Sequence, residues 1–459
     1  MLLFAAGCQM PARQLKPVLL DNEATVYLYL SPFPAESGNL RFSIESLAAV
    51  RSDGIEVPLA PMLPELTRDF MSRQRLLATA ALPIGSYEGF SIKAAKAYLR
   101  GDEGAEAALN VAQEITRIDL PFEVKKQKAL LVSLSLRYDA SLKGVSFTPV
   151  FDAAVPPKPL NNLTGYVTNT GADTVTVFDK KAGVAVAAIQ TGRGPAGIVV
   201  DQRRYRAYVA LSGGDAIDVI DVTSNAVINT IPLTPGDAPR ELALTPDGKI
   251  LLSSNVGSST VSIIDPLSFR EADRLNVPNQ PGAVMVDRTG NRAFIFNVLD
   301  NRISVLDLAT RRFLDAAILT DSTPLRGEFN RKGDRLIVFQ QWSPYLIYVN
   351  PFSFAEQKRV DAGVGVSWLK VDTMSDRLYV AKSDQPTLDI YDPFSLMPGD
   401  FIIAAGGVGH LAIDDDENNI CLVLPEKRLL QIVNLVSHEV VREVDLGDSP
   451  YWVSVVGER

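Results

Sequence analysis

Residues 165–200 read GYVTNTGADTVTVFDKKAGVAVAAIQTGRGPAGIVV, a series of short apolar runs separated by turn residues. The runs YVTN and TVTVFD flank the turn TGAD, and the turn GRGP introduces the next run. Runs of this length, rich in Val, Thr and Phe and bounded by Gly, Asp and Pro, are typical of β-strands joined by tight turns. The stretch therefore predicts a meander of short antiparallel strands.

The same arrangement recurs along the chain at a nearly constant interval. Strands end at Asp179, Asp221, Asp265, Asp307, Asn350, Asp392 and Asn434, in steps of 42, 44, 42, 43, 42 and 42 residues. A second column runs through Pro195, Pro239, Pro281, Pro324, Val366, Val408 and Pro450. Seven such units predict a seven-bladed β-propeller over residues 163–459. Because the repeat starts in its second strand, we expect the C-terminal PYWVSVV to complete the first blade.

The repeats also resemble a known family. GYVTNTGADTVTVFD, LLSSNVGSSTVSIID and GRGPAGIVVD resemble the YVTN-type β-propeller repeat proteins of surface layers and other cell-envelope proteins. The resemblance is sharper in the first four repeats than in the last three, where QQWSPY, KSDQPT and LPEKR replace loops of Asn, Gly and Ser. It implies a propeller fold and an extracytoplasmic location, but no single activity, because propellers serve as binding surfaces and as enzymes.

Residues 22–155 lack this period. Runs such as ATVYLYL, LRFSIESLAAVR, TRIDLPFEV and ALLVSLSL alternate like half-buried strands and predict an antiparallel β-sandwich, so that the whole chain is all-β. Residues 156–162 form a Pro-rich linker to the propeller. LLATAALPIGSYEGFSIKAAKAYL, followed by LLVSLSLRYDASL and FTPVF, resembles an uncharacterised domain found at the N-terminus of bacterial lipoproteins.

The first residues, MLLFAAGC, resemble the end of a bacterial lipoprotein signal, in which small residues precede a lipidated Cys. Residues 1–21 would then be a signal remnant and a tether, although a basic start is missing and seven residues are short for a signal. We expect lipidation at Cys8 and attachment to a bacterial outer membrane or cell surface by the lipid anchor alone. The alternative is an apolar N-terminus with an incidental Cys.

Composition excludes several classes of site. The formal charge is −9, which disfavours long-range attraction to nucleic acid and to an anionic membrane surface. The chain has two Cys and two His and no Cys-x-x-Cys-His, so we expect no haem, no metal site and no other cofactor. No apolar run approaches the length of a membrane span.

The candidate site follows from the propeller register. Residues two positions after the Pro column should ring the channel mouth; they are Gly197, Glu241, Ala283, Arg326, Trp368, His410 and Trp452. Trp342, in the loop QQWSPY, should lie on the same face. These aromatic and charged residues favour a recognition patch for a glycan, a peptide or an envelope protein. The alternative is that bulky side chains only fill the wide end of the channel. Glu328 and Lys370, four residues after the column, suggest an ion pair between blades.

The sequence thus predicts a cell-envelope lipoprotein that acts as a binding or scaffolding module rather than an enzyme. One alternative is a lactonase-like hydrolase or lyase that uses His410 with Glu241 and Arg326 as acid and base. Another is a cofactor-free accessory subunit of an envelope electron-transfer or secretion complex. Catalysis would require an open pocket at His410, whereas a scaffold would show a flat or plugged face.

Overall fold

A computed structural model describes residues 22–67, 72–101 and 105–458. Nearly all regular structure in these ranges is β-strand, with the one-turn helix Tyr138–Ser141 and short 3₁₀ turns such as Asn161–Leu163 and Pro425–Lys427. No helix in this part of the chain has the length and apolar character that crossing a membrane requires. Cys8 lies outside the described residues, so its lipidation stays a prediction.

The N-terminal region contains short and long strands in three sheets. They are β1 (Glu23–Leu30), β2 (Leu40–Arg51), β3 (Glu56–Pro58), β4 (Glu65–Leu66), β5 (Arg75–Pro83), β6 (Gly85–Arg100), β7 (Glu106–Ala108), β8 (Asn110–Val111), β9 (Thr116–Val124), β10 (Leu130–Leu136), β11 (Leu142–Lys143), β12 (Ser146–Phe147) and β13 (Phe151–Ala154). The first sheet has the order β13-β10-β1-β5, and the second has the order β3-β2-β6-β7 with β4 and β9 paired to it. A small sheet, β11-β12-β8, stands beside them.

Side chains of the two large sheets share one hydrophobic core, which includes Leu28, Phe42, Phe90 and Leu134. The predicted arrangement was purely antiparallel, but β1 and β10 run parallel, with Val26 opposite Leu130. The reason is topological: the chain passes through the second sheet between these two strands and returns to the first sheet in the same direction. The first sheet is therefore mixed.

The propeller consists of seven sheets, each with four strands except the fourth, whose outer strand is split in two. Blade 1 contains β14 (Thr164–Asn169), β15 (Thr174–Asp179) and β16 (Val184–Gln190); blade 2 contains β17 (Pro195–Asp201), β18 (Arg206–Leu211), β19 (Ala216–Asp221) and β20 (Ala226–Pro232); blade 3 contains β21 (Pro239–Leu244), β22 (Leu251–Asn255), β23 (Thr260–Asp265) and β24 (Arg270–Asn276). Blade 4 contains β25 (Pro281–Val286), β26 (Arg292–Asn297), β27 (Arg302–Asp307), β28 (Arg312–Phe313) and β29 (Ile318–Leu319); blade 5 contains β30 (Pro324–Phe329), β31 (Leu336–Gln340), β32 (Tyr345–Val349) and β33 (Glu356–Asp361). Blade 6 contains β34 (Val366–Val371), β35 (Leu378–Lys382), β36 (Thr387–Tyr391) and β37 (Pro398–Ile403); blade 7 contains β38 (His410–Asp414), β39 (Asn419–Leu424), β40 (Leu429–Asn434) and β41 (Val440–Asp445).

The last strand, β42 (Pro450–Val455), joins the first blade, whose order is β16-β15-β14-β42. It pairs antiparallel with β14, with Gly165 opposite Val455. The innermost strands contact one another in sequence from β17 to β42, and β42 contacts β17, so the ring is closed. Closure removes the exposed edge that the first blade would otherwise present.

The repeated polar residues have structural roles. Asn169, at the end of YVTN, is buried and donates through Nδ2 to Thr176 Oγ1 at 2.8 Å on the next strand, and Asn255 makes the equivalent bond to Ser262 at 2.7 Å. The strand-ending Asp179 accepts from the backbone N–H of Lys181 at 2.9 Å. In each repeat the buried Asn therefore hydrogen-bonds two neighbouring strands together, since buried amides need partners. The strand-ending Asp then closes the following turn, as Asx side chains commonly do.

The N-terminal region packs on the propeller at the seam between blades 1 and 7. Tyr27, Tyr29 and Leu131 share an apolar cluster with Phe178 of blade 1 and Val444 of blade 7. The contact combines burial of large side chains with hydrogen bonds from Arg73, Gln74 and Arg75, and it places the first sheet against the outer strands of both blades.

Candidate functional site

The residue column predicted to ring the channel is placed by irregular strand pairing. In six of the seven innermost strands the register shifts just after the column of turn residues, for example between Pro324 and Arg326 and between Val366 and Trp368. Such a bulge changes the direction of the side chains that follow it. Column residues from non-adjacent blades thereby meet inside the channel.

Three aromatic rings from consecutive blades fill one side of the mouth. The ring centroids of Trp368 and His410 are 4.1 Å apart, those of His410 and Trp452 are 4.1 Å apart, and those of the two Trp are 4.9 Å apart with an edge-to-face angle of 82°. Edge-to-face packing at these distances is favourable because the positive edge of one ring meets the negative face of another. The three rings form a continuous layer.

Arg326 connects this layer to the far side of the channel. Its guanidinium carbon lies 4.6 Å from the Trp368 ring centroid and 5.0 Å from that of Trp452, within the range of cation–π attraction. Its Nη1 also donates to Glu241 Oε2 on blade 3. Blade 4 lies between the blades of Glu241 and Arg326, and its residue at the same column position is the small Ala283. This small side chain leaves room for Arg326 to extend to Glu241. We call Glu241, Arg326, Trp368, His410 and Trp452 the channel plug.

Burial shifts the pKa values of two plug residues, His410 and Glu241. The His410 side chain is 4% exposed, and desolvation, reinforced by Arg326 and Lys370, lowers its pKa well below 6.5. Its Nδ1 accepts from the Val453 N–H at 3.3 Å, and its Nε2 has no hydrogen-bond partner among the described residues. Burial raises the pKa of Glu241, although Arg326 opposes the shift. His410 is thus a neutral, enclosed ring.

Trp342 lies on the same face but apart from the plug. Its loop follows β31, and Gln341 donates its N–H to Thr323 O at 2.8 Å, next to the start of β30. The Trp342 side chain is 85% exposed, and its backbone has a φ of 63°. Leu299 and Val364, both exposed, lie on the neighbouring loops of this face. We call Leu299, Trp342 and Val364 the Trp342 patch.

A cavity of about 610 Å³ lies at the distal end of the channel, and polar and apolar residues of the innermost strands and of the turns that follow them line it. Lys370 Nζ lies 2.8 Å from Glu458 Oε1 and 3.5 Å from Glu328 Oε1 in its wall. The two carboxylates outweigh burial and raise the pKa of Lys370. Arg326 lines the inner end of the cavity, so the plug separates it from the face that carries Trp342.

The structure brings some of the predicted site residues together and leaves one apart. Glu241, Arg326, Trp368, His410 and Trp452 converge as the column predicted, and they fill the channel rather than line an open pocket. Trp342 lies outside the plug, at the surface, with the exposed Leu299 and Val364 on neighbouring loops. The Glu328–Lys370 pair exists, but Glu458 is its closer third member. Sequence reasoning missed Glu458 because it lies after the last repeat, where no period marks it.

Comparisons with known proteins agree with the fold. Residues 167–376, slightly less than half of the chain, match the family model for YNCE-like β-propellers. The seven-bladed β-propeller protein Rv1057 of Mycobacterium tuberculosis is 34% identical over 121 residues, which cover 25% of this chain and 30% of that protein. The match thus spans less than a third of the relative's length.

Similar solved structures have low sequence identity. A functionally unknown protein from Desulfotomaculum acetoxidans has a TM-score of 0.57 at 12% identity, covering 64% of this chain and 99% of that one. A protein from Bacteroides uniformis, provisionally described as a 6-phosphogluconolactonase, has a TM-score of 0.55 at 14% identity with the same coverage. Dihydro-heme d1 dehydrogenase NirN has a TM-score of 0.52 at 12% identity, covering 66% and 77%. Identities this low show the fold alone. From the seven sheets, the closed ring and these matches, the chain is a β-propeller protein.

Proposed function

We propose that this chain is a cell-envelope lipoprotein that works as a binding or scaffolding module, with the Trp342 patch as its docking surface. The observation that supports this proposal is the plug: the channel mouth is filled by packed side chains, while Trp342 next to it is 85% exposed. Exposed Trp residues are over-represented among residues that dominate binding energies at interfaces. A closed face with a protruding Trp suits a partner of extended surface better than a small molecule.

The lactonase-like alternative needs an accessible acid or base. His410 is enclosed by two indole rings and held neutral, and Glu241 is engaged by Arg326. Neither side chain offers a free lone pair at a site that a substrate could enter from this face. The geometry therefore disfavours catalysis at His410.

The third reading, an accessory subunit of an envelope complex, is a special case of the same proposal. NirN, a dehydrogenase of dihydro-heme d1, shares the fold at 12% identity, which carries no information on this chain's partners. An accessory subunit that holds an enzyme of the envelope in position needs a docking surface for that enzyme and no active site of its own. The identity of the captured partner decides between this reading and glycan binding.

The test is affinity capture from detergent-solubilised membranes of the native host. We expect wild-type protein to enrich a specific protein or glycan and Trp342→Ser to lose it at least tenfold. Leu160→Ser is the matched control, because Leu160 is also an exposed large apolar residue but lies in the linker. Identical capture by wild type and Trp342→Ser, with both folded, would exclude the Trp342 patch as the docking surface.

A further inference from the structure

The opposite face of the propeller carries a second set of exposed apolar residues. They occupy one repeat position, the second residue after the strand-ending Asp or Asn, and are Leu267, Phe352, Phe394 and Val436. Their exposed fractions are 63%, 59%, 92% and 77%. We call these four residues the turn tips. Lys181 and Thr223 occupy the same position in blades 1 and 2, so the repeat itself does not require an apolar residue there.

The backbone holds each tip in one orientation. The N–H groups of Phe352 and Phe394 donate to Asn350 Oδ1 at 2.8 Å and Asp392 Oδ1 at 3.1 Å, and those of Leu267 and Val436 make the same bond at 2.9 Å. These Asx turns preorganise the loop, so little conformational entropy is lost when a tip is buried. The conformation of each tip is therefore fixed by hydrogen bonds within its own turn.

Arginines of the preceding blades add to this support. Arg206 donates to Pro266 O at 3.3 Å and lies 4.7 Å from the Phe269 ring centroid, beneath the Leu267 turn. Arg292 donates to Pro351 O at 3.4 Å beneath the Phe352 turn. The turns of Leu267 and Phe352 therefore each expose one apolar side chain, while an arginine of the preceding blade hydrogen-bonds to the backbone of the turn.

Equivalent positions of a radial repeat lie at the same height along the propeller axis. The turn tips therefore approach a common plane, and a flat apolar layer can bury all of them at once. Between the tips of blades 3 and 5, the turn of blade 4 presents the exposed cations Arg311 and Arg312, of which Arg311 lies 3.6 Å from Asp273 Oδ2. The first turn of blade 5 presents Arg331 and Lys332. The whole chain carries a charge of −9, so attraction to a bilayer with anionic headgroups has to come from this local group of cations, each of which contributes attraction at short range.

We propose that this face binds peripherally to an anionic phospholipid bilayer through the turn tips, so that the predicted lipid anchor at Cys8 would not be the sole membrane contact. The inference does not rest on the proposed docking role of the Trp342 patch, which lies on the other face and would then point away from the membrane. Shallow insertion of aromatic and aliphatic side chains, supported by basic residues, is a recognised mode of interfacial binding.

The experiment is vesicle co-sedimentation of the full chain carrying Cys8→Ala, which removes the candidate lipidation site. Vesicles contain phosphatidylethanolamine and phosphatidylglycerol, or phosphatidylcholine alone. We expect binding to the anionic vesicles, at least fivefold weaker binding to phosphatidylcholine, and at least fivefold weaker binding for Phe352→Ser/Phe394→Ser. Trp342→Ser, on the other face, should bind like its parent.

A second readout follows the depth of one tip. In the Cys8→Ala background Cys421 is buried, so Phe394→Cys provides one exposed thiol for an environment-sensitive dye. We expect a blue shift of the dye emission on adding anionic vesicles and no shift for Trp342→Cys. Absence of vesicle binding, or equal binding by the double Phe variant, would overturn the proposal. Binding to native membranes but not to protein-free vesicles would assign the tips to a protein partner and would also overturn it.

Discussion

Lys180 of blade 1 donates through Nζ to Asp414 of blade 7 at 2.7 Å, and both side chains are about 1% exposed. The same ammonium donates to the backbone oxygen of Val456 at 2.6 Å, just after the closing strand. One buried cation thus joins the first blade, the last blade and the C-terminus. A buried charge with two good acceptors is well satisfied, but it becomes costly if either partner is removed.

Lys180→Met should therefore destabilise the protein strongly. We expect a loss of about 3–5 kcal/mol in the free energy of unfolding, because Asp414 would be left as an unpaired buried carboxylate. Urea unfolding followed by intrinsic fluorescence measures it. The double variant Lys180→Met/Asp414→Leu should recover much of the loss, and a double variant as unstable as Lys180→Met would contradict this account.

Gln74 should control how firmly the N-terminal region is attached. Its side-chain amide pairs with both backbone groups of Ala185 on the outer strand of blade 1, at 2.8 and 3.2 Å. Asp445, on the outer strand of blade 7, accepts from Arg73, Arg75 and the Leu76 N–H at 2.7–2.9 Å. These hydrogen bonds tie the N-terminal region to the outer strands of both blades across the seam.

We expect Gln74→Ala/Asp445→Ala to expose the seam, because each buried partner loses a hydrogen bond worth about 1 kcal/mol or more. Limited proteolysis should then cut between the two regions at least ten times faster than in the wild type. Glu88→Ala, a substitution at an exposed residue of the N-terminal region, serves as control. Unchanged proteolysis and unchanged thermal stability would show that the apolar cluster alone holds the contact.

The channel plug should be a stability element. Trp452→Ala removes a large ring that contacts Trp368 and His410, and we expect a loss of about 3–5 kcal/mol from the cavity and lost packing. Trp342→Ala, at the exposed Trp, should change the unfolding free energy by less than about 0.5 kcal/mol. Equal effects of the two substitutions in calorimetry would refute the assignment of Trp452 to the core.

His410 should make the propeller sensitive to mild acid. Its folded pKa is depressed below the value of 6.5 expected in the unfolded chain, so the unfolded state takes up a proton first as the pH falls. The contribution of His410 to stability is therefore most favourable above pH 6.5, and it declines below that pH with a slope of up to about 1.4 kcal/mol per pH unit.

The measurement is the melting temperature between pH 7.5 and 5.0. His410→Gln should flatten the decline. The sign follows from burial, because the charged imidazolium lacks in the folded protein the hydration that it has in the unfolded chain. A decline of the same steepness in His410→Gln would place the acid sensitivity at other groups.

Much of the fold was predictable from the sequence, because each blade is encoded locally. The strand-ending Asp and Asn, the Pro column and the strand PYWVSVV predicted seven blades and closure by the C-terminus, and the sheet order confirms both. The N-terminal region was less predictable: its strands alternate clearly, but the parallel pairing of β1 with β10 joins residues about a hundred positions apart. Nothing local specifies such a partner.

The sequence by itself determined which residues face the channel, since the repeat assigns Glu241, Arg326, Trp368, His410 and Trp452 to one column. Only the tertiary structure decided that they pack into a plug. Arg326 must cross blade 4 to reach Glu241, and that distance depends on the ring diameter and on the small Ala283, not on spacing along the chain. In the same way Glu458 meets Lys370 across the closed ring, and Gln74 meets Ala185 because the N-terminal region packs on blade 1. Periodicity encodes position around the axis, while contacts across the axis are set by packing.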